Sequence, residues 1–457
     1  MSISADEPAA APPPSRPRPL ERFLRVFADV RDGEGPQLLL LGLNVFLILT
    51  AYYLMKPVRE ALILAQPGGA EIKSYSMAAQ ALLLAFAVPA YGALATRLPR
   101  RRLISVVTAL FIGCLPLFYL AAESGLSVGV PFFLWIGIFS LMVIAQFWAY
   151  ANDLYTPEAG KRLFALVAFG ASSGAVFGAF AAGRLIPLLG VHAMLLAAAA
   201  VLAASLALFN AIDHRAQARS TAARRTAAAA PQAPIGDGGA FGLVLRNRYL
   251  LLIAAMILLL NWVNATGEYI LSSIVSRAAQ ADVAAGRLSA DQERAFIGSF
   301  FAGYFQVVNV AGMLLQLFVV SRLVRLIGVR YAVCVLPLVA LGSYSVAALV
   351  PSLAIIRWIK TAENSVDYSL QNTVSHMLYL PATREEKYKA KQVTDTLVVR
   401  AGDVLSSATV FAGTAILSLS ISQFAVVNVV LVCLWLATAF VLGREFERRS
   451  AAPGAPA

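Results

Sequence analysis

Three kinds of residue are scarce in this chain, and each scarcity removes a class of function. Only 3 of the 457 residues are cysteine and 3 are histidine. Cys114, Cys334 and Cys433 all sit in apolar runs, so neither a disulfide framework nor a metal-ligand set is available. His192, His214 and His376 are far apart in sequence, and no nucleophile–base pair accompanies them; an enzyme is not expected. Charged residues make up 14% of the chain, against about 25% in ordinary soluble domains. No G-x-x-x-x-G-K-[ST] phosphate loop occurs, so an ATP-hydrolysing motor is not encoded here, and no motif calls for a cofactor.

What fills the space is apolar: 59% of the residues are hydrophobic. A membrane-crossing helix needs about twenty such residues. Runs of that kind fall near 37–55, 74–95, 103–122, 128–150, 163–183, 192–210, 249–274, 297–320, 331–350, 353–379, 393–418 and 422–442. Strands of a membrane barrel are shorter and alternate in polarity. The expected class is therefore an all-α polytopic membrane protein with twelve spans.

Of the 37 lysines and arginines, 27 fall on the side of the N-terminus, 7 on the other side and 3 (Arg357, Lys360, Arg400) inside spans. That bias puts both termini in the cytoplasm, in a plasma membrane such as the bacterial inner membrane. The net charge of +12 is accordingly a topology signal, and nucleic acid is not an expected partner.

Gln146 to Ala181 organises the rest. An apolar helix ends at Asn152-Asp153, turns at Thr156-Pro157, passes Glu158, Lys161 and Arg162, and re-enters an apolar run. Gly170, Gly174 and Gly178 recur once per turn there, on a face that another helix can approach closely. Leu154-Tyr155-Thr156-Pro157 is echoed by Leu378-Tyr379-Leu380-Pro381, 224 residues later, and the basic stretch at Arg97 by that at Arg322, 225 residues later. Two landmarks with nearly one offset imply an internal repeat. The expected organisation is a tail at 1–36 with a surface helix (Leu20, Phe23, Leu24, Phe27), six-helix halves at 37–210 and 249–442, a linker at 211–248 and a tail at 443–457. A short amphipathic helix is expected within 276–296, where Ser289 and Gln292 have capping-box spacing. His192 and His214 read as loop residues.

Charges inside spans are the functional signal, because each costs about 2.5–3.5 kcal/mol at mid-membrane. Arg357, Lys360, Glu363, Asn364, Asp367, Gln371 and Ser375 form one stripe on the tenth span. It faces either a water-filled cavity or internal ion pairs; the cavity is preferred, because buried pairs stabilise poorly compared with apolar packing. Glu268, Asp395, Arg400 and Asp403 add further charges. Lys56 and Arg59 share a face at the end of the first span, and both snorkelling and an inward orientation fit them. With Lys56, Arg59 and Glu60 counted as turned inward, five cations stand against six acids, so charge alone does not name a cargo.

The two-half plan with basic 2–3 and 8–9 loops resembles the major facilitator architecture. Three segments narrow the likeness: Tyr53-Leu54-Met55-Lys56-Pro57-Val58-Arg59-Glu60; Phe147-Trp148-Ala149-Tyr150-Ala151-Asn152 with Glu158-Ala159-Gly160-Lys161-Arg162; and Lys387-Tyr388-Lys389-Ala390-Lys391 with Asp395, Arg400 and Gly402. These resemble motifs of the ATP:ADP antiporter (nucleotide transporter) family. Arg59-Glu60 stands where that family has Lys-Asp, Asp153 where it has Gln, and Pro57 and Gly160 are extra. The resemblance implies a secondary transporter that exchanges or imports nucleotides or a related phosphorylated metabolite. Lys56, Arg59, Lys161 and Arg162 become candidate phosphate contacts, with Asn152 as a polar one. The full expected cargo set is Lys56, Arg59, Glu60, Asn152, Arg357, Lys360, Asn364, Asp367 and Arg400. Gating or coupling falls to Asp153, Glu158, Lys161, Arg162, Glu268, Glu363 and Asp395. The expected partners are the small molecule and the lipid bilayer, with a monomeric protein. A transporter of an unrelated solute, such as a drug, sugar or organic anion, stays open, as does a receptor or scaffold that uses the same fold.

Overall fold

The computed structural model describes residues 33–223, 240–383 and 393–451, with 22, 24–25, 29–31, 386 and 390–391; the side chains of Pro157, Lys161, 216–223, 240 and 241 lie outside that description. Also outside it are the Ala/Pro-rich start, Phe23 and Phe27 of the expected surface helix, most of the linker, and Lys387 to Lys389.

Long stretches of Leu, Ala, Ile and Phe have no polar side chain to compete for the backbone, and they form helices throughout. These are α1 (Gly35–Leu64), α2 (Gly69–Arg97), α3 (Arg100–Glu123), α4 (Gly129–Leu154) and α5 (Pro157–Ala223). After a short α6 (Ala240–Arg246) come α7 (Arg248–Ala284), α8 (Ala290–Leu315) and α9 (Ser321–Leu349). The chain then forms α10 (Leu353–Val366), α11 (Asn372–Met377), α12 (Val399–Phe411) and α13 (Ile421–Ser450).

Among the described residues, eight continuous helices are long and apolar enough to cross a membrane. Two of them hold two spans each: Gly190 (φ 80°, ψ 168°) breaks α5, and Gly328 (φ 74°, ψ 165°) separates the end of the eighth span from the ninth. The remaining spans are the tenth and eleventh, and π turns at Asp367–Gln371, Thr394–Val398 and Ala412–Ile416 interrupt them. Twelve spans result, as the apolar runs predict.

Three local expectations need correction. The 276–296 segment holds no separate helix: α7 runs on to Ala284, and Ser289 with Gln292 caps α8 directly. His192 is not in a loop but just past the Gly190 break, 3.0 Å from Glu123. His214 is likewise helical, 2.8 Å from an Arg101 nitrogen.

Buried apolar side chains fall into two clusters, one drawn mostly from residues before 213 and one mostly from residues after 243. Within the first, a methyl at Gly170, Gly174 or Gly178 would strike the backbone carbonyls of Gly42, Phe46 or Thr50, so these glycines let α5 lie directly on α1. Outward-facing Leu82, Phe86, Leu110, Leu117 and Leu188 are at least 65% exposed, which suits lipid contact and no aqueous surface.

One end of the bundle, the terminal face, holds the start of α1 and the end of α13; the other is the far face. Bonds between the two halves gather toward the far face. Ser276 donates to Leu64 O at 2.9 Å, Tyr269 to Glu71 at 3.0 Å, and Ser407 to Ser74 O at 2.5 Å. Near mid-depth Asn309 donates to Ala175 O at 3.4 Å. The far face is thus laced shut, and the space between the halves lies on the terminal side of these bonds.

Candidate functional site

Helical spacing brings the site together. Tyr52, Lys56 and Arg59 share one face of α1, and Lys73, Met77 and Gln80 share one face of α2. With Phe133, Glu268, Phe305, Asn364, Tyr368, Arg400 and Asp403 they line a cavity of about 250 Å³. Lys56 and Arg59 therefore face inward, and snorkelling is not what they do.

Behind the cavity runs a chain of alternating charge. Arg59 pairs with Glu60, and Glu60 with Lys73 Nζ at 2.7 Å. Lys73 lies 3.8 Å from Glu268, Glu268 lies 4.0 Å from Lys360, and Lys360 lies 3.1 Å from Glu363. Three cations and three carboxylates cancel, and the chain links α1 and α2 to α7 and α10.

The members are deeply placed: Glu60 is 0% exposed, Lys360 1% and Lys73 3%. Neutral partners satisfy them further. Lys73 donates to Ser272 Oγ at 2.9 Å, Lys360 to Asn264 Oδ1 at 3.0 Å, and Tyr344 to Glu363 at 3.0 Å. Asn364 donates to Glu268 at 3.1 Å and to the Tyr304 hydroxyl at 2.6 Å. Gly267 makes the room: a Cβ there would run into the Tyr344 hydroxyl and sit 3.0 Å from Lys360 Nζ.

Lys56 stands apart. Its ammonium lies over the rings of Phe305 (4.1 Å) and Tyr53 (5.2 Å). No carboxylate among the described residues lies within ion-pair distance of it. Arg400 is held by Asp403 at 2.9 Å, so Lys56 is the cavity's surplus positive charge.

A second cavity, of about 330 Å³, adjoins the first through Tyr368 on the terminal side. Asp367 and Asp395 line it. Both arrangements expected for the tenth span therefore occur: Lys360 and Glu363 pair internally, while Asn364, Asp367 and Gln371 line cavities.

Other sequence candidates lie elsewhere. Arg357 lies over Phe300 (5.5 Å) and Trp358 (5.7 Å), outside both cavity linings. Asn152 and Asp153 are exposed at the end of α4, with Asp153 paired to Arg100. Glu158 sits in the first turn of α5, and the Lys161 side chain lies outside the described residues. Arg162 binds Glu34 at 3.0 Å and the Asp29 carbonyl, so it braces the entry to α1. Partial burial pushes the Glu34 carboxyl up, but the Arg162 hydrogen bond and charge and the Arg31 backbone N–H outweigh this and hold it below the usual range.

Sequence reading missed Lys73, Gln80, Tyr304 and Tyr344. Lys73 falls one residue before the apolar run at 74–95, although its spacing to Met77 and Gln80 marks one helix face.

A helical bundle with a charged cavity between halves, shut at one end, has the build of a secondary transporter. The chain belongs to the Major Facilitator Superfamily, whose sequence model matches residues 38–378. No curated protein sequence matches it. Among solved structures it is similar to the nucleoside transporter NupG (12% identity, TM-score 0.62, 91% of this chain and 100% of that one). It is also similar to a bacterial homologue of the human lysosomal transporter Spinster, inward-facing and unoccupied (14%, TM-score 0.58, 92% and 98%). A third is a POT family transporter in complex with 5-aminolevulinic acid (12%, TM-score 0.60, 89% and 96%). At these identities the likeness is one of fold.

Proposed function

We propose that the protein carries a phosphorylated metabolite of the nucleotide class across the plasma membrane, in exchange for a related anion. The observation that carries this reading is Lys56, a buried ammonium on the cavity with aromatic rings around it and no carboxylate partner among the described residues. Desolvated cations attract anionic ligands more strongly than surface ones. Arg59, Lys73 and Arg400 stand beside it on the wall. Tyr52, Phe133, Phe305 and Tyr368 supply flat apolar surface for an aromatic base. The basic-residue bias makes the terminal face cytoplasmic, so the closed far face makes this the inward-facing state.

The halves at 37–210 and 249–442 then rock about the cavity, joined by the 211–248 linker, and a monomer holds the whole site. Opening the far face separates Lys73 from Glu268, the link between α2 and α7. An anion at Lys56 and Arg59 can compensate the charges that this exposes, which ties rocking to occupancy. A second reading, transport of an unrelated organic anion, has one observation in its favour: the surplus is a single charge, which also suits a monoanion.

The test is uptake of labelled ATP by liposomes holding the purified protein, with and without internal ATP and ADP. Load-dependent uptake that falls in Lys56→Gln is the expected result. No uptake by folded protein rejects the nucleotide class, and the second reading then takes over.

A further inference from the structure

The cavity on the terminal side of Tyr368 has the opposite chemistry to the one around Lys56. Asp367 and Asp395 stand in its wall with Asn261, Gln371, Asn372 and Ser375, and among the described residues no lysine or arginine lines it. Lys391 and His376 lie near Asp395 at the terminal rim, hydrogen-bonded to each other at 3.1 Å, and neither is part of the lining.

Two of the amides have each committed donor capacity: Asn261 one N–H to Ile257 O at 2.8 Å, and Gln371 Nε2 to Ser375 Oγ at 3.4 Å and Met256 Sδ at 4.0 Å. Gln371 is 2% exposed, and its Oε1 has no hydrogen-bond partner. The capacity left over is therefore dominated by acceptors: two carboxylates and amide oxygens. A buried acceptor without a donor is costly, and a cluster of them selects a ligand that donates. The backbone is specialised at the same place. Asp367 opens one π turn and Asp395 lies in another, and π turns inside helices are frequent at functional sites.

We infer that this cavity binds the amino-bearing, hydrogen-bond-donating end of the cargo, either an aminated heterocycle or a primary ammonium. Tyr368 walls both cavities, so a single molecule spans them, with its anionic end at Lys56 and its amino end between Asp367 and Asp395. The anionic half of that statement rests on the function proposed above; the amino half rests on the second cavity alone.

The experiment measures thermal stabilisation of the purified full chain by four separate probes: adenine, hypoxanthine, n-butylammonium and inorganic pyrophosphate. Adenine or n-butylammonium stabilises the wild type and Lys56→Gln, and its apparent Kd rises roughly tenfold in Asp367→Asn, the scale of one charged hydrogen bond. Asp395→Asn provides the second variant should the first fail to fold. Which of the two probes works distinguishes a neutral amino group from an ammonium. Hypoxanthine, with a carbonyl where adenine has its amino group, stabilises less. The inference is overturned if neither amino probe stabilises the wild type, if hypoxanthine equals adenine with n-butylammonium inactive, or if both Asp variants respond as the wild type does. Pyrophosphate reports on the anion site alone. Its failure in the wild type would remove the phosphate reading and leave the amino site to the other probes.

Discussion

The fourth and tenth spans stand at matching places in the repeat, each leading into a Tyr-x-Pro hinge, yet their interiors are opposite. At the 224-residue offset, Phe133 matches Arg357, Ile136 matches Lys360, Phe139 matches Glu363 and Ser140 matches Asn364. On α4, Trp135 stacks on Phe132 (5.5 Å) and Phe139 (5.8 Å), with Phe111 against its edge at 5.3 Å. On α10 the same depth holds Lys360, Glu363 and Asn364 in ion pairs and hydrogen bonds. The fold therefore packs this position without charge. Since apolar packing is the cheaper solution, the function proposed above assigns the charges of α10 to cargo and motion, and the aromatic ladder of α4 to cohesion.

The sharpest way to break that comparison is Lys360→Met. It strands Glu363 and weakens the hold on Glu268, and should cost about 3–5 kcal/mol, as removing one partner of a buried pair does. Adding Glu363→Leu should recover most of the loss, read by thermal unfolding in detergent. A single variant as stable as the wild type would mean that the α10 charges are not a coupled unit. Next comes Phe139→Leu on the ladder: a loss of about 1 kcal/mol, with uptake per folded molecule unchanged. The smallest effect is expected at the terminal face, away from both helices. Glu34 is lowered in the folded state, so its contribution is complete above its unfolded value, about 4.3, and fades as pH falls through the folded one. Melting curves of wild type and Glu34→Gln should therefore differ near neutral pH and converge in acid.

Much of this architecture could be read from the chain. Twelve apolar runs, the paired hinges, the α5 glycines and the capping box before α8 follow from local periodicity and local chemistry, which act within a few residues. The site was only half legible. Spacing showed that Lys360, Asn364, Asp367 and Gln371 share a face, but the same spacing enrolled Arg357, which packs on Phe300 and Trp358 instead. Periodicity fixes a face and leaves depth along the helix open. Lys73 was hidden because it stands in the second turn of α2, where an apolar run has barely begun and a lysine looks like a loop residue. Its partners, Glu60 on α1 and Glu268 on α7, belong to other helices and come from tertiary packing alone. Lys161 and Arg162 show the converse: a motif match marks the residues, but Arg162 spends its charge on Glu34.

The most direct test sets the cargo site and the α4 ladder side by side in one assay: initial uptake of labelled ATP into ATP- and ADP-loaded liposomes by wild type, Lys56→Gln and Phe139→Leu, each normalised to folded protein. The predicted result is a loss of roughly 10-fold to 100-fold in Lys56→Gln, the worth of a charged hydrogen bond, with Phe139→Leu close to wild type. Equal uptake by wild type and Lys56→Gln, or a greater loss in Phe139→Leu, would contradict a cargo site built on the surplus charge of Lys56.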